Sequence, residues 1–234
     1  MKRSQINRCV AEAKDFFAKH GFALPPFAFW TPSQWQKIGH EADEIRTRKL
    51  GWDVTDFGSG KFLEQGLLLF TLRNGLLGDP NNKKVYAEKI MVVRERQVTP
   101  WHFHFVKTED IINRAGGKLV CELYNSTPEG ALADTPVYVA CDGVLVELPP
   151  GGKITLSPGQ SITLTPGLYH TFYGEKGAGP VMVGEVSSVN DDATDNRFLK
   201  PLPRFPAVEE DEAPALLLCN EYPAAKNGPK CCGS

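Results

Sequence analysis

Apolar residues recur at helical spacing near the start of the chain. Within residues 4–20, the positions that share one helix face are Ile6, Val10, Ala13, Phe16 and Phe17. Gly21 follows directly, and glycine commonly ends a helix. The pattern therefore predicts an amphipathic helix over residues 4–20, with an apolar face that packs against the rest of the protein.

A second helix start follows shortly afterwards. Thr31 is a residue type that caps helices, Pro32 suits the first helical position, and Gln34 completes the pattern of a capping box. Trp30 and Trp35 stand where a hydrophobic staple forms. This short segment therefore predicts a helix that begins at Pro32.

Beyond residue 65 the pattern changes to short apolar runs separated by turn residues. Residues 46–64, rich in Gly and Asp, predict loops with little regular structure. The predicted strands cover residues 66–73, 85–93, 98–106, 118–124, 137–141, 144–148, 153–156, 161–165, 170–173 and 180–189. Turns are predicted at residues 74–75, 79–82 and 113–117, and residues 190–198 predict an acidic loop directly after the last strand. Many short strands with frequent turns are typical of an all-β sandwich or barrel.

Three of the five histidines fall in two of these strands. His102 and His104 are two residues apart, so in a strand they project from the same face. Glu109 follows a short polar stretch that allows a turn to bring its carboxylate back to that face, and His170 comes from a separate strand. Three imidazoles and one carboxylate suit Mn, Fe, Ni or Zn better than Ca or Mg. The alternative is a surface histidine pair and a core histidine bonded to backbone.

Composition and charge narrow the classes of function. The formal net charge is −2, and no basic run indicates nucleic-acid binding. No apolar stretch approaches the roughly 18–20 residues that cross a bilayer, and the first residues do not resemble a signal peptide. We therefore expect a cytoplasmic protein without a membrane partner.

Cys121 and Cys141 are expected to be buried thiols, and the polar tail over residues 226–234 is expected to be disordered.

The histidine spacing carries a resemblance to a known fold family. The arrangement His102-x-His104-x4-Glu109-x6-Gly116, followed by Pro166-Gly167-x2-His170, resembles the two cupin motifs. Together with the strand pattern, it predicts an all-β cupin jelly-roll β-barrel. We expect an N-terminal helical and loop extension over residues 1–64, the barrel over residues 65–206, and a C-terminal arm and tail over residues 207–234.

A metal held in this way polarises a substrate oxygen as a Lewis acid, and such chemistry includes aldose–ketose isomerisation through an enediol. Two further residues are candidates for proton transfer. Lys107 lies between the histidine pair and Glu109, where a cation stabilises a developing enediolate; the alternative is an exposed turn lysine. The second candidate is Glu185. We expect residues 170–173 and 180–186 to form a hairpin that places Glu185 on the same face as His170. A carboxylate in such a partly apolar site suits a general base. A solvent-facing strand glutamate is the alternative.

Over residues 1–225 the chain also resembles the D-lyxose isomerase family of cupin sugar isomerases. The resemblance rests on four segments, which are Phe29-Trp30-Thr31, Glu88-Lys89-Ile90-Met91, the stretch from Trp101 to Glu109, and the stretch from Gly184 to Asp192. It implies interconversion of D-lyxose with D-xylulose and of D-mannose with D-fructose. A homodimer and a divalent metal are implied as well, with Mn expected and Co, Zn or Fe as alternatives.

Carried over by position, the resemblance assigns roles to eight residues. The implied metal ligands are His102, His104, Glu109 and His170, the catalytic residues are Lys107 and Glu185, and the residues that contact sugar hydroxyls are Asp191 and Arg197. Three other functions stay open. One is an Fe(II) oxygenase, although such enzymes typically use two histidines and one carboxylate. The others are a non-catalytic sugar- or metal-binding cupin, and a phosphosugar isomerase that holds phosphate through Arg94 and Arg96.

Overall fold

Two antiparallel sheets that face each other form the body of the protein. The computed structural model describes residues 1–78, 83–192, 194–205 and 207–225. The helices are α1 (Arg3–Lys19), α2 (Pro32–Trp35) and α3 (Asp43–Thr47), with 3₁₀ turns at Pro26–Phe29 and His40–Ala42. The strands are β1 (Gly51–Thr55), β2 (Leu67–Arg73), β3 (Tyr86–Val93), β4 (His102–His104), β5 (Glu109–Gly116), β6 (Leu119–Asn125), β7 (Val137–Cys141), β8 (Val144–Leu148), β9 (Gly152–Leu156), β10 (Ser161–Leu164), β11 (Leu168–Gly174), β12 (Val181–Ser188) and β13 (Asn196–Phe198).

The order of the strands confirms the predicted cupin-like jelly roll. One sheet runs β1-β2-β3-β12-β5-β10-β7-β8, and the other runs β13-β4-β11-β6-β9. Strands that follow each other in the chain, such as β4 and β5 or β11 and β12, often lie in different sheets. Loops at the ends of these strands therefore carry residues from one sheet to the other across the interior.

Side chains of β2 and β3 point alternately to the two faces of their sheet, and each face contributes to a different hydrophobic core. Leu69 and Met91 point into the space between the sheets, whereas Phe70 and Ile90 point outward beneath α1. Lys89 shares strand parity with Met91, so its side chain also points between the sheets. Each strand thus buries both faces, which explains its nearly continuous apolar sequence.

The predicted N-terminal helix is confirmed as α1, and its apolar face covers the eight-stranded sheet. Val10, Ala13 and Phe17 are buried there, and the ring of Phe17 stacks on that of Trp52, with 6.4 Å between centroids. The capping box at Thr31 and Gln34 is also confirmed. In the part of the chain that the structure describes, no helix has both the length and the apolar character needed to pass through a bilayer.

Three strands lie where the sequence predicted loops or turns. The loop prediction for residues 46–64 is wrong in part, because β1 pairs with β2 and its five residues are all buried. The turn predicted at residues 113–117 is wrong in part, since β5 continues to Gly116 before the chain turns into β6, and the buried Asn113 amide donates to the carbonyls of Gly117 and Leu156. The third is β13, which lies in the segment predicted as an acidic loop. The strand predicted at residues 98–106 is present only as the shorter β4. In each case a distant partner, and not the local pattern, decides the conformation.

The C-terminal arm crosses the N-terminal helix and the first strand. The buried Arg3 guanidinium lies 2.6 Å from a Glu210 oxygen and 2.5 Å from a Glu221 oxygen. Farther along, the Cys219 amide donates to the carbonyl of Trp52. The arm therefore ties both ends of the chain to the sheet. The division of the chain at residues 64 and 206 stays a prediction, and the predicted turn at 79–82 and tail at 226–234 lie outside the described residues.

Candidate metal centre and active site

The three histidines predicted as metal ligands meet between the two sheets. His102 and His104 lie on β4, and His170 lies opposite His102 on the neighbouring strand β11. One ring nitrogen of each histidine lies within 4.8 Å of those of the other two. The Nδ1 atoms of His102 and His170 contact the carbonyls of Pro100 and Leu168. These contacts suit an Nδ1–H tautomer that leaves each Nε2 lone pair free to bind a metal.

Glu109 completes the cluster from the opposite sheet. Its Oε1 atom lies 3.2 Å from Nε2 of His170 and 3.3 Å from Nε2 of His104. Neither ring nitrogen of the buried His104 makes a well-formed hydrogen bond with the described residues, because Nε2 only approaches Glu109, and an unpaired buried nitrogen costs about 1–3 kcal/mol. A divalent cation bound between Glu109 and the histidines would give Nε2 of His104 a partner. The donor set therefore fits the predicted metal.

Burial and neighbouring charges keep the cluster in the ionisation states that bind a metal. Burial lowers the pKa of His102 well below its usual value and also lowers the pKa of His104. Burial alone raises the pKa of Glu109, but the Lys107 ammonium and His104 outweigh it and hold this pKa well below its usual range. Neutral imidazoles and an ionised carboxylate are the forms that coordinate divalent ions.

Lys107 and Glu185 lie beside the histidines and are in contact with each other. The Lys107 ammonium is 2.6 Å from Oε2 of Glu109 and 3.0 Å from Oε1 of Glu185. Burial alone lowers the pKa of Lys107, but Glu109 and Glu185 outweigh it and raise this pKa. Lys107 is thus a buried cation, and the alternative of an exposed turn lysine is wrong.

Glu185 reaches the site by a different route from the predicted hairpin. The hairpin is wrong, because β11 pairs with β4 and β6 while β12 pairs with β3 and β5. Glu185 points inward because it shares strand parity with Val181 and Val183, which lie in the core between the sheets. The predicted partly apolar setting is present, since Met91 and Ile111 also line the cavity, but the Glu185 carboxylate itself contacts Lys89, Lys107 and the Ser187 hydroxyl.

Lys89 is a site residue that the sequence reasoning missed. It lies directly opposite Glu185 in the pairing of β3 with β12. Its ammonium donates to both Glu185 oxygens, at 3.0 and 3.3 Å, and to Oδ1 of Asn190 at 2.7 Å. A single lysine inside the apolar sequence of β3 was the available signal, and only the cross-strand register identifies its partner.

The two residues predicted to contact sugar hydroxyls do not line the histidine cavity. Asp191 lines a neighbouring cavity of about 210 Å³ and accepts a hydrogen bond from the Thr194 hydroxyl. Arg197 is exposed on the outer face of β13 and donates to the carbonyl of Glu129. Because side chains alternate along a strand, the neighbours Asn196 and Phe198 line the cavity instead. The structure therefore does not bring Asp191 or Arg197 to the predicted site.

Asp192 and Arg204 occupy the place expected for those two residues. Both line the histidine cavity, and Nη2 of Arg204 lies 2.6 Å from Asp53 and 3.2 Å from Asp192. Burial alone raises the pKa of Asp192, but Arg204, Lys89 and Lys107 together outweigh it and hold this pKa well below its usual value. The Nη1 atom of Arg204 is buried without a hydrogen-bond partner among the described residues. Arg204 therefore brings to the cavity lining a guanidinium whose hydrogen-bonding capacity is not fully used.

The arginine pair considered for phosphate binding lies elsewhere. The Arg94 guanidinium donates to Glu12 on α1 at 2.7 Å, and the residues that line the histidine cavity include neither Arg94 nor Arg96. Its described lining carries its cations on Lys89, Lys107 and Arg204, each paired with a carboxylate. This arrangement suits neutral hydroxyl groups better than a phosphate dianion.

Comparison with known proteins places the chain in a family. The family model described as D-lyxose isomerase matches residues 1–222. The D-lyxose/D-mannose isomerases of Serratia proteamaculans and Escherichia coli O157:H7 are each 52% identical over 223 residues, covering 95% of this chain and 98% of the relative. The structure of Cellulomonas parahominis L-ribose isomerase with L-ribose shares the fold, with a TM-score of 0.60, 15% identity, and coverage of 89% of this chain and 98% of that one. This chain therefore belongs to the D-lyxose isomerase family.

Proposed function

We propose that this chain is a metal-dependent aldose–ketose isomerase that interconverts D-lyxose with D-xylulose and D-mannose with D-fructose. The observation that carries the proposal is the buried group of three histidines beside the ion-paired Glu185, in a chain 52% identical to two D-lyxose/D-mannose isomerases. Aldose–ketose isomerisation needs no oxidant or reductant, because hydrogen only moves within the sugar. The homodimer implied by the family resemblance remains a prediction.

The residues that hold the metal in this proposal are His102, His104, Glu109 and His170. When bound, a divalent cation polarises the sugar oxygens and makes the hydrogen on the neighbouring carbon more acidic. Nitrogen and carboxylate donors suit Mn, which we propose as the physiological ion, and also suit Co, Zn or Fe. His102 and His170 are oriented for this role by the carbonyls that contact their Nδ1 atoms.

Glu185 is the proposed general base. In the forward reaction its carboxylate removes the proton from C2 of the open-chain aldose, which breaks the C2–H bond and forms an enediolate. The same carboxyl group then returns a proton to C1, while the hydroxyl proton on O2 is transferred to O1. Lys89, opposite on β3, donates to both Glu185 oxygens and fixes the direction of the carboxylate. A positioned base of this kind contributes about 10²–10⁴-fold to a rate.

Lys107 is the proposed stabiliser of negative charge on the enediol oxygens. Its ammonium is buried and held between Glu109 and Glu185, so its charge acts in a region from which water is largely excluded. A preorganised cation in such a setting stabilises developing charge far more than it does in water. Because Glu109 and Glu185 raise its pKa, Lys107 acts in this proposal as a charged hydrogen-bond donor to O1 and O2 and not as a base.

Arg204 and Asp192 are the proposed contacts for sugar hydroxyl groups away from the reacting carbons. The unpaired Nη1 atom of Arg204 donates to a hydroxyl oxygen, and the Asp192 carboxylate, which also lines the cavity, accepts from a hydroxyl. A site built to pair with hydroxyls rejects ligands that lack them, because its buried polar groups are then left unpaired. These residues replace the sequence-based candidates Asp191 and Arg197 in the proposal.

Conversion of D-lyxose in D₂O tests the proposal. We expect the D-xylulose that forms to carry deuterium at C1, because a proton held by Glu185 exchanges with solvent in part before it is returned. Nuclear magnetic resonance measures both the ketose and the deuterium. Ketose without deuterium after many turnovers contradicts transfer through an enediol, and absence of ketose from D-lyxose and D-mannose contradicts the isomerase itself.

A further inference from the structure

The loop between β4 and β5 carries Lys107 but has little backbone pairing of its own. Within residues 105–108, three successive backbone N–H groups donate to a single residue, Asp195. The amide of Phe105 donates to its carbonyl at 3.2 Å. The amides of Val106 and Lys107 donate to its two carboxylate oxygens at 2.8 and 3.0 Å. The fourth amide, that of Thr108, donates to the Ser188 hydroxyl.

We propose that Asp195 is a positioning residue that fixes the backbone of Lys107 and thereby places the ammonium between Glu109 and Glu185. The proposal rests on the proposed function for its catalytic consequence. Asp195 is 4% exposed, and its carboxylate contacts the site only through backbone amides. Hydrogen bonds between an ionised carboxylate and N–H groups are about twice as strong as neutral ones. The Asp195 carboxylate therefore holds the backbone at Val106 and Lys107.

The other residues of the cluster have independent supports. His102, His104 and His170 lie on β4 and β11, where strand pairing fixes them. Glu109 begins β5 and pairs on both sides, with Leu164 of β10 and Ser187 of β12. Lys107 lies on neither strand. Loss of the Asp195 carboxylate is therefore expected to displace Lys107 while leaving the metal ligands in place.

The test compares Asp195→Ala with Asp195→Asn and a matched control. We expect Asp195→Ala to lower kcat about a hundredfold, the size of effect that a 1 Å misplacement produces, with affinity for Mn unchanged. Asp195→Asn keeps one acceptor oxygen, so its kcat is expected to lie between those of Asp195→Ala and the wild type. Glu95→Ala is the control, because the Glu95 carboxylate also accepts from two backbone amides, those of Gly177 and Gly179. That loop is remote from the histidines, and we expect wild-type kcat.

A second readout does not depend on turnover. In metal-free protein, Lys107 is buried, so an amine-acylating reagent is expected to modify it only slowly. Mass spectrometry of labelled Asp195→Ala is expected to show faster modification of Lys107 and faster amide exchange over residues 105–108. The same labelling should leave Lys89 as protected as in the wild type, because β3 is unaffected by this loop.

The outcomes separate this inference from the proposed function. Wild-type kcat in Asp195→Ala, with Lys107 still protected, overturns the positioning role and leaves the isomerase proposal intact. Loss of Mn affinity together with exposure of both Lys89 and Lys107 also overturns it, because Asp195 then supports the fold as a whole. If wild-type protein forms no ketose, the labelling of Lys107 still decides whether Asp195 holds the loop.

Discussion

Glu185→Gln is expected to remove most isomerase turnover while the protein keeps its metal. The amide has nearly the same shape as the carboxylate but cannot accept the proton from C2, so we expect kcat for D-lyxose to fall by about 10²–10⁴-fold, the usual contribution of a general base. The fold should survive, because the amide oxygen can still accept a hydrogen bond from Lys89 or Lys107, which now contact the carboxylate. Initial rates and bound metal per chain measure the two effects.

Glu122→Gln provides a matched control for this variant. Glu122 is also a strand glutamate with a lysine neighbour, Lys153, at 2.7 Å, but its strand β6 presents it on the face away from the histidine cavity. We expect wild-type turnover from it. Unchanged turnover in Glu185→Gln removes Glu185 from the mechanism and leaves the general base to another residue. Loss of bound metal in Glu185→Gln instead makes Glu185 a ligand or a structural residue.

His170→Ala is expected to abolish both metal binding and turnover. His170 supplies the only proposed ligand from β11, and its Nε2 atom lies 3.1 Å from Nε2 of His102 and 3.2 Å from Oε1 of Glu109. Loss of a residue that merely orients a ligand costs about 10–100-fold in metal affinity, and loss of a ligand is expected to cost more. Calorimetric titration of metal-free protein with Mn measures the affinity.

His40→Ala controls for the general effect of removing a histidine. His40 lies in a 3₁₀ turn of the N-terminal region and contacts Asp43, so we expect it to bind Mn and to turn over like the wild type. A His170→Ala variant that binds Mn with wild-type affinity contradicts the assignment of His170 as a ligand. Wild-type turnover in that variant contradicts the placement of the reaction at this cluster.

Much of the metal site could be predicted from sequence because its signal is local. The spacing of His102 and His104 needs only the alternation of a strand, and the polar stretch before Glu109 needs only a turn. Inward orientation of Glu185 likewise follows from its parity with Val181 and Val183, whichever strand lies beside β12. This explains why Glu185 was correctly predicted to face the histidines although the hairpin that justified this orientation was wrong.

The missed residues depend on contacts between distant parts of the chain. Lys89 becomes a site residue through its register with Glu185, nearly a hundred positions away, which no local pattern reports. Arg204 lies in the segment that follows β13, and the buried Asp53 on β1 holds its guanidinium in place. Since β1 itself was predicted as a loop, the support for Arg204 could not be foreseen.

The position of Arg197 outside the histidine cavity has a related cause. Arg197 was assigned by position from the family resemblance, and its segment was predicted as an acidic loop, to which the alternation of a strand does not apply. Pairing of β13 with β4 aligns Asn196 with His104 and Phe198 with His102. That pairing turns these two side chains toward the cavity and Arg197 away from it. The same pairing aligns Asp195 with the loop that carries Lys107.

Metal removal and replacement on the wild-type protein test the central proposal most directly. The protein is stripped with a chelator, Mn, Co, Zn or Fe is added back singly, and ketose formation from D-lyxose and D-mannose is followed together with oxygen consumption. We predict no ketose without metal, restoration by a divalent ion with Mn most effective, and no oxygen consumption with any ion. Undiminished ketose formation by fully stripped protein contradicts metal dependence. Tight metal binding without ketose, or oxygen uptake with Fe, contradicts the isomerase and favours a binding cupin or an oxygenase.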